Sequence, residues 1–370
     1  MANNKSLANA KDAKKDEFYT QIKDIENELK FYKEQFKNKT VFCNCDDPYE
    51  SNFFKYFAMN FNHLGLKKLI CTSYSGSPIV GKEFSDLPLF KALNSKKAYK
   101  VEITEVYDEN GDGAVDLYDI ELLIKNMKNK LTLLKGDGDF RSEEAISCLK
   151  EADIVVTNPP FSLFKEYIDQ LMEYDKKFLI LGNNNAITYK GVFSYLMNNK
   201  LWLGYHANQT MEFRIRDDYK KWSRIENGIK YGKVPAITWF TNMDTKNRHE
   251  KLILYKKYNK TNYPTYVTFD AIEVGTVSDI PEDYYGVLGV PKTFVQNYNP
   301  EQFEIIGYER EDENVKIGIK RMGEKFIADY RSQGGKGHYT SNMKMLCYYD
   351  NDGKAKIPFS RILIRRKENK

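Results

Sequence analysis

Residues 153 to 164 read Asp-Ile-Val-Val-Thr-Asn-Pro-Pro-Phe-Ser-Leu-Phe, and this stretch decides the fold. Its first part, Ile154 to Thr157, is apolar and β-branched, which predicts a buried strand. A helical pattern follows at Leu163 to Tyr174, so Asn158 to Phe161 lie where a strand passes into a helix. A strand followed directly by a helix is the unit from which parallel α/β sheets are built.

Short apolar strands and helical patterns alternate on both sides of this stretch. Amphipathic spacing predicts helices from Ile22 to Phe36 and from Tyr189 to Met197, and Asp47 to Glu50 have the pattern of a capping box. The other predicted strands are Val41 to Asn44, Leu69 to Thr72, Leu131 to Lys135, Phe178 to Leu181, Leu201 to Tyr205 and Ala236 to Thr241. We therefore predict an α/β fold with a doubly wound, mostly parallel sheet, whose ligands bind at the strand carboxyl ends.

The pattern also divides the chain. Residues 1–16 are predicted to form a flexible basic arm, because they lack periodic apolar residues. Residues 17–245 form the predicted α/β domain, with an insertion rich in Arg, Lys and aromatic residues near 206–235. Residues 246–370 are polar and turn-rich, and we assign them to a separate C-terminal region.

Composition limits the function classes. The charge of +5 arises from 57 basic and 52 acidic residues, which permits a nucleic-acid partner without requiring one. The five cysteines are odd in number and form no CxxC pair, so we expect a reducing cytoplasm. No apolar run approaches the roughly 18 residues of a membrane span. We expect no metal, since the four histidines are widely spaced.

The residues Asn158, Pro159, Pro160 and Phe161 are the catalytic candidates. Two successive prolines fix the backbone and remove amide donors, which leaves a rigid set of acceptors. An exocyclic amine such as adenine N6 is a poor nucleophile, because its lone pair is delocalised into the ring. If the Asn158 side-chain oxygen and the Pro159 carbonyl accept its hydrogens, the nitrogen can attack the methyl group of a sulfonium donor.

The aromatic residue of this motif supplies a stacking surface. An adenine inside a duplex is out of reach, so it must be flipped at a cost of a few kcal/mol. Stacking on Phe161 returns about 1 to 3 kcal/mol. The alternative, in which Asn158 to Phe161 only terminate a strand, is disfavoured by the motifs around them.

The sulfonium donor S-adenosylmethionine needs a turn for its amino-acid part, a ribose partner and a slot for its adenine. The turn after the first strand and the helix N-terminus that follows suit the amino-acid part. Asp139 and Phe140 suit the adenine, and Phe18 to Thr20 could close over the methionine end. The cofactor-binding candidates are Phe18, Tyr19, Thr20, Asn44, Cys45, Asp46, Ser73, Asp137, Asp139, Phe140 and Asn158.

Ordered blocks along most of the chain carry a family resemblance. They are Asp16 to Thr20, Asp24 to Leu29, Cys43 to Pro48, Ser51 to Phe54, Gly136 to Ser142, Asp153 to Phe164, Gly289 to Pro291, Tyr298 to Phe303 and Arg361 to Ile364. In these blocks the chain resembles the EcoRI adenine-N6 methyltransferase family. The resemblance implies a DNA-modification enzyme that uses S-adenosylmethionine and, where a nuclease accompanies it, protects host DNA.

The chain departs from the wider adenine methyltransferase pattern at two places. Asn44 to Pro48 replace the usual glycine-rich first loop, and Thr72 to Tyr74 lack the carboxylate that normally holds the ribose. Against the EcoRI-type proteins, the segments near 75–130 and 206–235 differ. The second of these could change the recognised sequence.

Basic residues mixed with aromatic ones favour a DNA surface. The DNA-binding candidates are Arg214, Arg216, Lys220, Lys221, Arg224, Arg331 and Lys336. We therefore interpret residues 246–370 as a target-recognition region and expect double-stranded DNA as the partner. A cognate restriction endonuclease is a further candidate partner. We expect a monomer that does not bind a membrane. Amine methylation of RNA or of a protein glutamine is the alternative. A binding protein without catalysis is disfavoured by the intact motif.

Asp108 to Asp119 imitate a calcium loop. The flanks, Tyr99 to Tyr107 and Val115 to Ile120, alternate like hairpin strands. We therefore predict a hairpin turn in preference to a calcium site.

Overall fold

The computed structural model describes most of the chain, namely residues 19–45, 51–74, 97–215, 222–311 and 316–368. The chain forms two compact units. The first comprises Met1–Ala186 and Leu203–Met243, and the second comprises Ile187–Trp202 and Asp244–Lys370. The segment from Ile187 to Trp202, which the sequence pattern assigned to the first domain, thus clusters with the C-terminal residues.

An eleven-stranded sheet is the scaffold of the first unit. Its strands are β1 (Tyr19–Thr20), β2 (Thr40–Cys43), β3 (Lys68–Thr72), β4 (Tyr99–Ile103), β5 (Lys130–Leu133), β6 (Ile154–Thr157), β7 (Lys177–Asn183), β8 (Trp202–Leu203), β9 (Gln209–Arg214), β10 (Arg224–Glu226) and β11 (Ile229–Thr241). The order across the sheet is β1-β9-β11-β7-β6-β2-β3-β4-β5, and β8 and β10 both pair with β11.

The strand directions confirm the α/β class and refine its sheet. Strands β7, β6, β2 and β3 run parallel at the centre. On one side β4 and β5 follow in antiparallel steps, and on the other β11, β9 and β1 do so. The carboxyl ends of β2, β3, β5, β6 and β7 therefore meet at one edge, called the carboxyl edge below.

Helices cover this sheet and connect its strands. In the first unit they are α1 (Ile22–Leu29), α2 (Asn52–Met59), α3 (Phe61–Leu64), α4 (Leu117–Lys125), α5 (Glu143–Glu151) and α6 (Phe164–Glu173). Single 3₁₀ turns span Lys33–Phe36, Phe161–Leu163 and Asn184–Thr188. Strands β2 and β6 are buried along their whole length, as expected for apolar strands covered on both faces.

The start of α2 shows how local sequence sets an element. The Ser51 hydroxyl accepts the amides of Phe53 and Phe54, at 3.2 and 3.5 Å, and so caps the helix. Phe53, Phe54 and Phe57 are all buried in the core. The predicted capping box at residues 47–50 lies outside the described residues, and the helix begins at Asn52.

The predicted hairpin around residues 108–119 is wrong. Strand β4 ends at Ile103, and the second flank is helical, because α4 begins at Leu117 with Asp116 as its cap. The Asp119 carboxylate accepts the backbone amides of Asp116, Glu109 and Asn110. These hydrogen bonds from backbone amides lower the pKa of Asp119 and hold the loop against the start of the helix.

The second unit has its own small sheets. They contain β12 (Ile272–Glu273), β13 (Val287–Pro291), β14 (Phe303–Tyr308), β15 (Tyr348–Tyr349), β16 (Ala355–Lys356) and β17 (Arg361–Arg366). The order is β12-β13-β17-β14, with β15 and β16 as a separate pair. Helices α7 (Val192–Met197) and α8 (Glu324–Ser332) accompany them, with 3₁₀ turns at Lys246–His249, Val277–Asp279 and Lys292–Asn297.

Packing explains why residues 187–202 cluster with the second unit. Phe193 on α7 is buried and lies 4.8 Å from the ring of Tyr308 on β14, centroid to centroid. In the same unit Arg361 pairs with the buried Glu273, with 2.9 Å between Nε and Oε1. Of the helices that the structure describes, not one has the length and apolarity needed to cross a bilayer.

Candidate active site

The Asn-Pro-Pro-Phe motif lies at the carboxyl edge, directly after β6. Asn158 is 7% exposed, and Pro159 is buried beside it. The Leu163 amide donates to the Pro160 carbonyl at 2.9 Å, which closes the 3₁₀ turn that leads into α6. This bond uses the Pro160 carbonyl, so the Pro159 carbonyl is the backbone acceptor to consider for a substrate.

The end of β2 is bonded to the end of β6. The Thr157 hydroxyl donates to the backbone carbonyl of Asn44, and the Tyr167 hydroxyl donates to Asn44 Oδ1. Tyr167 is fully buried on α6, and burial raises its pKa well above the ordinary value. The phenol therefore stays neutral and keeps its donor proton, and its bond to Oδ1 fixes the orientation of the Asn44 amide, whose Nδ2 is the side-chain donor.

The turn after β2 contains no glycine, although its backbone enters the region that glycine favours. Cys45 adopts a left-handed backbone with φ of 72°, a conformation that glycine adopts at little cost. The Cys45 thiol lies beside the Tyr167 hydroxyl, which also contacts Asn44. The left-handed backbone costs about 1 to 2 kcal/mol for a non-glycine residue, and the polar contacts around the turn offset this cost.

The loop after β5 lies against the end of β3. Gly138 has a φ of +80°, and a Cβ there would lie 2.0 Å from the Ser73 carbonyl oxygen. Phe140 then packs edge-on against Tyr167, with ring centroids 5.1 Å apart. The structure therefore brings the predicted cofactor residues of the first and third loops together.

Asp139 has a partner that the sequence analysis did not consider. Its Oδ1 accepts Arg141 Nε at 2.8 Å, and its Oδ2 accepts the terminal guanidinium nitrogen at 2.7 Å. Arg141 lowers the pKa of this carboxyl and also reaches Glu166 on α6, at 3.1 Å. An adenine amino group would have to share Asp139 with this guanidinium.

Ser73 has a role in strand pairing. Its side chain is fully buried, and its hydroxyl accepts the Tyr99 amide at 2.9 Å and donates to the Tyr99 carbonyl at 3.4 Å. These bonds extend the pairing of β3 with β4. Since the hydroxyl serves the sheet, we do not retain Ser73 as a side-chain contact to a cofactor.

The N-terminal candidates lie beside the start of α2. Thr20 is 2% exposed, and its carbonyl accepts the Asn52 side-chain amide at 2.7 Å. Among the described residues, its Oγ1 atom has no hydrogen-bond partner. Phe18 and Asp46 lie outside the described residues, and Tyr19 is described by its backbone alone.

The adenine-specific methyltransferase EcoRI family matches residues 6–367 of the chain. The chain belongs to this family. Among its curated relatives, Type II methyltransferase M.EcoRI of Escherichia coli is 48% identical over 326 residues, which cover 86% of this chain and 93% of the relative. Type II methyltransferase M.MgeORF184P of Mycoplasma genitalium is 41% identical over 80% of this chain and 84% of the relative.

A third relative, Type II methyltransferase M.MpnI of Mycoplasma pneumoniae, is 38% identical over 80% of this chain and 83% of its own length. No solved structure gives a significant match. The family and its relatives identify the chain as an adenine-specific DNA methyltransferase of Type II, as the resemblance implied.

The predicted DNA-binding residues of this methyltransferase occupy several settings. Arg224 on β10 is engaged within the protein: it pairs with Glu212 at 2.7 Å and with Glu226, and its guanidinium carbon lies 4.0 Å from the Tyr231 ring centroid. This pairing argues against Arg224 as a phosphate contact. Arg214 lies on β9, opposite Tyr19 of β1.

The other basic candidates are distributed over the rest of the chain. Arg331 and Lys336 are exposed at the end of α8 and in the loop after it, in the second unit. Arg331 donates to the Tyr339 carbonyl at 3.2 Å, and the Lys336 carbonyl accepts the Tyr330 hydroxyl at 3.0 Å. Arg216, Lys220 and Lys221 lie outside the part of the chain that the structure describes.

Sequence reasoning missed several residues that hold the site together: Ser51, Asn52, Thr157, Arg141 and Tyr167. Thr157 directly precedes the motif, so its hydroxyl could have been found from its position. The role of Tyr167 follows only from the fold, which places α6 over the turn after β2. Within the described ranges, no cluster of three metal-ligating side chains occurs.

Proposed function

We propose that this methyltransferase transfers a methyl group from S-adenosylmethionine to N6 of an adenine flipped out of duplex DNA, at a specific sequence. The observation that carries the proposal is the position of Asn158 and Pro159. Both follow β6 at the carboxyl edge, beside the Asn44 turn that Thr157 and Tyr167 hold. Acceptor groups for an amine thus lie next to the predicted cofactor turn.

The chemistry that we assign to the motif is positioning. Asn158 Oδ1 and the Pro159 carbonyl would each accept one hydrogen of the N6 amine, which aims its lone pair away from the ring plane. Because the protein is already folded around both groups, their dipoles need no reorganisation during the reaction. The hydrogen that the methyl group replaces leaves as a proton.

Phe161 is our candidate for the base-stacking residue. It is 8% exposed and begins the 3₁₀ turn, directly after the two prolines. A flipped adenine would contact the part of the ring that remains accessible. Stacking of this kind offsets part of the cost of removing the base from the duplex.

The residues at the carboxyl edge fit a sulfonium cofactor. The buried Thr20 Oγ1, without a partner among the described residues, offers a group for an amino-acid end. Asn44 Nδ2 would add a donor, and Phe140 an aromatic surface. When bound, S-adenosylmethionine supplies an activated methyl group, while these residues orient it and exclude water.

Cellular context follows from the same proposal. A Type II methyltransferase acts beside an endonuclease of the same specificity, so such a nuclease is the proposed partner. We propose a monomer in the bacterial cytoplasm, since one chain acting on one strand per encounter suffices. Residues 246–370 would contain the target-recognition region, with Arg331 and Lys336 as contacts to DNA.

Methyl transfer to purified substrates tests this proposal. Labelled S-adenosylmethionine is offered with duplex DNA, RNA or protein, and the wild type is compared with Asn158→Ala. We expect label in duplex DNA alone, and none with the variant, which should still bind DNA. Label in RNA or protein would instead support the alternative amine substrates, and a fully active Asn158→Ala would contradict the assigned role of the motif.

A further inference from the structure

Strands β10 and β11 form a hairpin with a well-defined tip. The turn residues Asn227 and Gly228 have φ angles of 49° and 79°, as a two-residue type I′ turn requires. Glu226 pairs with Ile229 across the turn, and Ile225 pairs with Lys230 behind it. The asparagine-glycine turn matches the twist of the strands, so the tip has one preferred conformation.

The hairpin lies beyond the carboxyl edge of the sheet. Ile237 of β11 pairs with Asn183 at the end of β7, and β11 runs antiparallel to β7. The residues of β11 that precede Ile237 therefore lie beyond the end of β7, after a β-bulge between Val234 and Ile237 in which Ala236 has a φ of 60°. Thr157 pairs with Ile180, so the motif that follows it leaves the sheet at this same edge.

The base of the hairpin is anchored to the candidate cofactor site. Tyr231 of β11 pairs with Arg214 of β9, which in turn pairs with Tyr19 of β1. The next residue, Thr20, accepts the side-chain amide of Asn52 at the start of α2. A continuous ladder of strands thus connects the hairpin to the α2 N-terminus.

Arg224, at the start of β10, is engaged by neighbouring side chains. Arg224 is held by Glu226, by Glu212 and by the ring of Tyr231. These contacts join β10 to β9 and to β11, which makes the hairpin more rigid.

Two apolar side chains on and beside β10 are exposed. Ile225 is 52% exposed and Trp222 is 53% exposed. A β-branched side chain has few rotamers, and a rigid hairpin has little freedom to lose, so inserting Ile225 into a partner costs little conformational entropy. Proteins that distort DNA insert apolar side chains such as Ile, Leu, Met or Phe between bases, and a duplex that has lost one base from its stack offers such an opening.

We propose that Ile225 enters the DNA stack at the position that the target adenine vacates, while the flipped adenine lies at Asn158. The inference rests on the proposed function, which requires a flipped base. Ile225 would stabilise the opened duplex by replacing the stacking contacts that the adenine gives up. The hairpin would thereby help to keep the adenine flipped while it lies at the motif on the carboxyl edge.

Kinetics of Ile225→Ala test the proposal with two DNA duplexes that contain the recognition sequence. One duplex is fully paired, and the other has an abasic site opposite the target adenine, which removes the base pair. Ile253→Ala is the matched control, because Ile253 is an 85% exposed isoleucine elsewhere in the chain. Fluorescence of 2-aminopurine at the target position reports flipping independently of methyl transfer.

We expect Ile225→Ala to lower kcat/KM on the paired duplex about tenfold and to reduce the fluorescence rise, because a lost apolar contact shifts flipping by about that factor. On the duplex with the abasic site it should act within about twofold of the wild type, and Ile225→Leu should act normally on both. Unchanged activity on the paired duplex, or equal losses on both duplexes, would overturn the proposal. A wild type that methylates neither duplex would overturn the proposed function, and this inference with it.

Discussion

Two hydroxyl groups hold Asn44 in place, and this contact is the residue-scale basis of the site. Thr157 donates to its backbone carbonyl, and Tyr167 donates to its side-chain oxygen. Asn44 is 3% exposed, so water cannot replace either donor. The turn that we assign to the cofactor is thus fixed by residues from β6 and α6.

Tyr167→Phe should destabilise the protein by about 1 to 3 kcal/mol, because the buried Asn44 oxygen loses its donor. It should also weaken S-adenosylmethionine binding in calorimetry, since Asn44 is then free to rotate. Urea denaturation gives the stability change, with Tyr118→Phe as control, because Tyr118 is 54% exposed. Equal urea midpoints for the two variants would show that the Tyr167 bond contributes nothing.

At this scale the sequence predicts the motif better than its supports. Asn158 to Phe161 could be assigned because their chemistry depends on neighbours in the chain. Tyr167 and Arg141 could not, since their partners, Asn44 and Glu166, are brought to them by the fold. The pairing of Asp139 with Arg141 was missed for a different reason, because two residues that are close in sequence have many alternative partners in a loop.

Close contact between two loops shapes the carboxyl edge at the scale of elements. The loop after β5 crosses the end of β3 at Gly138, where backbone meets backbone. This crossing positions Asp139 and Phe140, the latter against Tyr167. A side chain at position 138 would separate the two loops.

Gly138→Ala should cost at least about 3 kcal/mol, because the new Cβ must displace the Ser73 carbonyl. Gly111→Ala is the matched control: its φ of +76° is equally unfavourable, yet nothing lies within 4 Å of the added Cβ. We expect the control to lose only about 1 kcal/mol. Thermal unfolding of both variants measures the difference, and similar losses would mean that the loops do not meet at Gly138.

A buried carboxylate ties α1 to the chain after β8. Glu28 is fully buried and accepts the Tyr205 amide at 2.8 Å, the His206 amide at 2.9 Å and His206 Nδ1 at 2.7 Å. The hydrogen bond to Glu28 raises the pKa of His206, and Asp24 and Lys30 also face this ring. The imidazolium form is thus favoured in the folded state.

Stability should therefore depend on pH through His206. Because its folded pKa lies above the unfolded value of about 6.5, the contribution is complete below pH 6.5 and is lost as pH rises through the folded pKa. The free energy of unfolding, measured between about pH 6 and pH 9, should fall less for His206→Gln than for the wild type. His63→Gln is the exposed control, and parallel profiles for wild type and His206→Gln would refute this linkage.

Helices and strands were predicted well where the segment is buried along its whole length. They were predicted poorly where polar contacts determine the secondary structure. The strands β2, β3, β6 and β7 were all predicted within two residues, because apolar runs define them. Val115 to Ile120 were misassigned to a strand, since the helix there depends on the Asp116 cap and on Asp119 bonding to backbone amides. Alternation of apolar residues does not reveal such bonds.

At the scale of the whole molecule, the sheet brings the motif and the described loops that we assign to the cofactor to one edge. The parallel centre brings the ends of β2, β3, β6 and β7 together, and the antiparallel flank carries the β10–β11 hairpin past the end of β7. The parallel centre was predicted from the alternation of strands and helices. The antiparallel flanks were not, because strand direction depends on which strands become neighbours.

The central claim is that Asn158 and Pro159 act on an adenine in DNA. The most direct measurement is modification-sensitive sequencing of DNA from cells that express the wild type or Asn158→Ala. We predict N6-methyladenine within one short sequence in the wild type and its absence in the variant. Equal methylation with both proteins, or no methyladenine in DNA with the wild type, would contradict the claim.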